Sequence, residues 1–79
     1  MDKERVLFCE QELKLSMVKL TKGSIPQHEA SVLAQKAVYE LDWSDSALQH
    51  KGIGWIAGQF LERAGYGFNY FSMTYELNR

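Results

Sequence analysis

Cysteine occurs once in this 79-residue chain, at Cys9, so no intrachain disulfide can staple it. Histidine occurs twice, His28 and His50, on different predicted segments, and Cys9 lies on a third. No C-x-x-C and no i, i+4 pair of ligands occurs, so the sequence presents no metal site and implies no cofactor. Nothing in the spacing sets up a Cys–His nucleophile either, and the expectation is surface histidines, a buried thiol and no enzyme. Basic charge is also scarce: nine Lys and Arg against ten Asp and Glu leave a formal net charge of −1. That removes the electrostatic footprint of a nucleic-acid binder, and it falls far short of the negative field of a DNA mimic. Long apolar runs are absent, and the charged start Met1–Arg5 precedes an apolar run of only four residues. The expectation is therefore no membrane span and no signal peptide, which with a lone cysteine points to the cytoplasm.

What is present is unevenly distributed. Residues 1–45 carry eight acids and six bases, whereas residues 46–79 carry only Glu62, Glu76, Lys51, Arg63 and Arg79. Seven of the ten aromatics fall in that weakly charged second half: Trp55, Phe60, Tyr66, Phe68, Tyr70, Phe71 and Tyr75. A chain of this length makes a single domain over residues 1–79. It buries only roughly 60–65% of the surface its unfolded form exposes, so a dimer is a natural route to extra stability.

Punctuation divides the chain. Lys22-Gly23 reads as a helix C-terminus with a cation followed by a C′ glycine, and Ser24-Ile25-Pro26-Gln27 reads as a capping box. A second helix over 26–42 carries Ala30, Leu33, Ala34, Ala37, Val38 and Leu41 on one stripe. Trp43-Ser44-Asp45-Ser46 breaks it, with Ser44 or Ser46 as the next cap and a Trp43–Leu48 hydrophobic staple. A third helix over 46–64 turns Ile53, Ile56, Ala57, Phe60, Leu61 and Ala64 inward and stops at Gly65. Residues 4–21 fit a helix with the stripe Val6, Cys9, Leu13, Met17 and Leu20, and the absence of internal Gly or Pro favours it. The alternation Glu12–Met17 also fits a strand. The fold class is thus mainly α, a compact three-helix domain with a C-terminal β segment. The alternative is an α+β arrangement whose N-terminal strand pairs with residues 66–77.

Residues 66–77 are aromatic, β-favouring and almost uncharged. Their apolar side switches between Tyr70 and Phe71, which a β-bulge would repair. Read as one strand, the segment needs a partner for its backbone groups, and an open edge of this kind invites association. On the third helix, Ala47, Lys51, Gly54 and Gly58 share a ridge where small residues admit another backbone, in the chain or outside it. Trp55 falls off the inward stripe, as an interface anchor does. Gly52–Gly58 is no phosphate loop, because no strand precedes it and no Lys-Ser/Thr follows its glycines.

These features predict a non-enzymatic protein–protein interaction module, homodimeric, acting as a small adaptor or inhibitor of a larger protein. Its expected partner-binding residues are Gly54, Trp55, Gly58, Tyr66, Phe68, Tyr70, Phe71 and Tyr75. The alternative is a DNA-associated regulator using helices 26–42 and 46–64 as a helix-turn-helix, with Gln49, His50 and Lys51 at the reading end. The scarcity of bases beside that turn, and the acids Asp42 and Asp45 within it, argue against the alternative.

Overall fold

From Lys3 to Leu20 the chain contains neither glycine nor proline, and it forms one 18-residue helix, α1 (Lys3–Leu20). The computed structural model describes residues 3–41 and 51–78. Leu13 and Met17, one turn apart, are wholly buried, with Val6, Cys9 and Leu20 half-buried on the same side. The N-terminal strand of the α+β alternative does not form: the alternation Glu12–Met17 lies in the middle of α1. A strand would turn Leu15 to the same face as Leu13 and Met17, yet Leu15 is exposed while those two are buried, as helical pitch requires. Five turns of packing outweigh six residues of alternation.

α1 ends in a Schellman motif. The Gly23 N–H donates to the Val18 carbonyl at 2.8 Å and the Lys22 N–H to the Lys19 carbonyl at 3.1 Å. The stop falls where the sequence places it, but the left-handed C′ residue is Lys22 (φ 51°), with Gly23 (φ 81°) following it. The Ser24–Gln27 capping box is not made: α2 (Gln27–Glu40) has Pro26 at its N-cap and no side-chain cap hydrogen bond. Buried Thr21 organises this turn instead. Its hydroxyl donates to the Met17 carbonyl at 2.9 Å and accepts the Ile25 N–H at 3.3 Å.

Gly52, at φ 87° and ψ 163°, is not helical, so α3 (Ile53–Arg63) begins after it rather than running unbroken from residue 46. The caps expected at Ser44 and Ser46, and the Trp43–Leu48 staple, lie outside the described residues. α3 ends as anticipated, with Ala64 as C-cap and Gly65 left-handed at φ 97°.

The C-terminal segment is two strands, not one. β1 (Tyr66–Asn69) and β2 (Thr74–Leu77) pair antiparallel, with Tyr66 opposite Leu77 and Asn69 opposite Thr74. The switch of apolar side between Tyr70 and Phe71 marks the turn of this hairpin rather than a bulge. The segment thereby supplies its own backbone partner, and the Asn78 N–H closes the base on the Gly65 carbonyl at 2.8 Å.

α1 packs against both α2 and α3, and β1 packs against α3. The core joins Leu13 and Met17 of α1, Ala30, Leu33, Ala34 and Ala37 of α2, Ile56, Ala57, Phe60 and Leu61 of α3, and Ile25 and Tyr66. Among the described residues the fold is mainly α, three helices finished by a two-stranded sheet.

Candidate interaction surface on the C-terminal hairpin

The hairpin grades from core to solvent along its aromatic residues. Tyr66, at its base, is 3% exposed and belongs to the core. Next come Phe68 and Tyr75, a cross-strand pair with ring centroids 5.2 Å apart in edge-to-face geometry. Phe68 in turn meets Tyr70 edge-on at 4.9 Å. Such pairs add about 0.5–1.5 kcal/mol beyond the area they bury. Tyr70 is 81% exposed and Phe71 fully exposed, with Met73 largely so.

These tip side chains stand on a turn that is fully tied down. The Asn69 side-chain carbonyl accepts the N–H groups of Phe71 at 2.9 Å and Ser72 at 3.4 Å, a local side-chain cap on the turn. One Glu76 carboxylate oxygen accepts from the Asn69 amide at 3.1 Å and from the Ser72 hydroxyl at 2.7 Å. From the turn after α1, the Lys22 ammonium donates to the Ser72 carbonyl at 2.7 Å. The Thr74 hydroxyl donates to the Leu20 carbonyl at 2.7 Å, capping α1 from 54 residues away. A shallow hollow of about 370 Å³ lies beside the tip between Phe68, Tyr70, Phe71, Glu76 and Asn78.

The residues anticipated as partner contacts therefore divide. Tyr70 and Phe71 are exposed, and Trp55 is 45% exposed with the Lys51 ammonium 5.0 Å from its ring. Gly54 is open, with nothing near the place a Cβ would occupy. Tyr66 is buried, and Gly58 lies beneath Tyr75, whose hydroxyl would sit 2.8 Å from an added Cβ. Those two are occupied within the chain. Phe68 and Tyr75 are partly covered and link the core to the tip. Burial raises the Tyr75 phenol above its usual pKa of 10.0, with the negative charges of Glu62 and Tyr70 adding to the shift. Sequence reasoning missed the scaffold of the turn: Lys22, Asn69, Ser72, Thr74 and Glu76. Asn69 and Ser72, both turn-favouring types, bracket the tip and were the available signal.

Elsewhere the surface offers less. A hollow of about 380 Å³ between α2 and α3 is lined by Lys36, Glu40, Phe60 and Arg63, where Arg63 pairs with Glu40 at 3.3 Å and covers the Phe60 ring. Another, of about 590 Å³, lies between Val6, Glu10, Gln35, Val38 and Tyr39. Among the described residues, neither is lined by histidine or cysteine. Among the described residues no group of three or more His, Cys, Asp or Glu could hold a metal ion, and no helix is long and apolar enough to cross a membrane. Gln49 and His50 of the helix-turn-helix alternative lie outside the described residues. No protein-family model matches the chain, and no curated protein or solved structure is similar enough to it to count as a match.

Proposed function

We propose that this protein is a non-enzymatic binding module that inserts the hairpin tip into an apolar pocket of a larger protein, as a small adaptor or inhibitor. The observation carrying this reading is that Tyr70 and Phe71 are exposed, uncharged and large, on a turn held by hydrogen bonds from three directions. Single exposed apolar residues are common, but adjacent aromatics on a tied-down convex turn suit a binding hot spot. Fixing the turn beforehand lowers the ordering cost of binding. Trp55 and Gly54 are also exposed, on α3. With one cysteine, the cytoplasm is the compartment in which we place it.

Self-association is the second reading. An unpaired strand no longer argues for it, since the hairpin pairs with itself; the exposed residues Leu7, Phe8 and Leu15 on α1 do. A stable dimer buries roughly 800 Å² per partner, so that stripe would have to combine with a second surface.

The test is cross-linking followed by affinity capture, with wild type and Phe71→Ser run side by side. Proteins retained by the wild type and lost by an equally folded variant support the tip reading. Identical captured sets from both would reject it.

A further inference from the structure

Two left-handed residues flank a single joint. Among the described residues the non-glycine positions with positive φ are Lys22 (51°) and Met73 (57°). Lys22 holds that conformation as the C′ residue of the Schellman motif. Met73 carries roughly a tenfold population penalty for a conformation that glycine adopts freely. Both lie where the hairpin meets the end of α1. The Lys22 ammonium reaches the Ser72 carbonyl, the residue before Met73, and Thr74, the residue after it, reaches the Leu20 carbonyl. Strain of this kind persists only where surrounding contacts hold it, and it gathers at elements that have a second state.

Among the described residues, the rest of the hairpin's attachment has a natural fixed end. Tyr66 is in the core, and Gly67 follows it directly. Beyond Gly67, the Tyr75 ring rests on Gly58, and Thr74 is buried against the end of α1. A two-stranded sheet is at best marginal in water, so residues 67–78 keep their cross-strand bonds only while docked.

We propose that residues 67–78 form a strained clasp on α1 that lifts away while Tyr66 and the three helices stay in place. Opening breaks the Lys22–Ser72 and Thr74–Leu20 bonds and relaxes Met73. It uncovers Gly58 on α3, and it carries Tyr70 and Phe71 away from their fixed position. The clasp is a property of the free chain and does not depend on the tip binding a partner.

Native-state hydrogen exchange on the full chain tests this, in wild type, Met73→Gly and Thr74→Val. Local opening lets the Asn78 amide exchange at least roughly 100-fold faster than the amides of Met17 and Ala34, with a much weaker urea dependence. Met73→Gly, which removes one strain, slows exchange at Asn78 roughly tenfold. Thr74→Val, which removes one tie, speeds it several-fold. Asn78 exchanging with the rate and urea slope of Met17 and Ala34 would overturn the clasp, since the hairpin would then open only with the whole domain. Local opening that Met73→Gly leaves unchanged would equally overturn it, because the strain would have no part in it. Met73→Gly adds no bulk, so the test survives even where Thr74→Val folds poorly.

Discussion

Gly54 and Gly58 are chemically identical and one helical turn apart on α3, yet their surroundings give them opposite roles. Nothing lies near a Cβ built on Gly54, whereas one on Gly58 would meet the Tyr75 hydroxyl at 2.8 Å. Gly54→Ala is therefore expected to stabilise the fold by about 0.5–1 kcal/mol through helix propensity alone. Gly58→Ala gains the same propensity but must displace Tyr75, so its melting temperature should fall below that of Gly54→Ala. Combining it with Tyr75→Phe, which removes the clashing oxygen, should narrow the gap; an unchanged gap would mean that Tyr75 is not what fills the space. The same phenol gives a pH test. Its pKa is raised in the folded chain above the unfolded value of 10.0, chiefly by burial. The folded state then holds the proton more tightly, so its stability is full below pH 10 and falls as pH rises through and beyond that value. Urea melts between pH 8 and 11 should show that decline, and Tyr75→Phe should lessen it. Equal alkaline declines in the two proteins would remove Tyr75 as the cause.

Elements were legible in the sequence where one period dominated over a long run. α2 follows from spacing, because burying Ala30 with Leu33, Ala34 and Ala37 demands helical pitch. Over Glu12–Met17 the sequence also fitted a strand, and burial of Leu13 and Met17 with Leu15 exposed is what marks α1 as a helix. The hairpin was half legible: β character was plain, but its turn carries Tyr70, Phe71 and Met73 rather than glycine or proline, so it reads as continuous strand. Tertiary contacts allow that unusual turn, since Lys22, Asn69 and Glu76 supply the hydrogen bonds that hold it. The α1–α2 turn misled in the same way. Ser24 has the composition of a cap, but Thr21, just past the end of α1, holds the turn instead, a role set by burial that local pattern does not display. Thr21→Val keeps the shape of the side chain while leaving the Ile25 N–H without its acceptor. The expected cost is about 1–3 kcal/mol, read as a lowered urea midpoint at unchanged slope. Wild-type stability in Thr21→Val would show that the turn does not depend on this hydroxyl.

At the scale of the whole molecule, charge and apolar surface decide what the protein can meet. A net charge of −1 provides little counterion release, so duplex DNA is expected to bind weakly and without sequence preference at physiological salt. Submicromolar, salt-sensitive affinity for a defined duplex would promote the helix-turn-helix reading instead. The apolar side is best judged by comparing two phenylalanines. Phe60 is 4% exposed in the core, and Phe71 stands fully in solvent at the hairpin tip. Phe60→Ala leaves a cavity in the core and is expected to cost about 3–5 kcal/mol, a large part of the stability a small domain has. Phe71→Ala removes a ring that packs against nothing inside the chain, so its melt should stay within about 0.5 kcal/mol of wild type. If the tip binds a partner, the ranking reverses in a binding assay: Phe71→Ala should lose about 2 kcal/mol or more of affinity, with a smaller loss for Trp55→Ala. Thermal melts and titrations on the same three proteins separate scaffold from surface. Should Phe71→Ala destabilise the chain as severely as Phe60→Ala, the tip would be part of the fold's own packing, and it would no longer be a surface kept for another molecule.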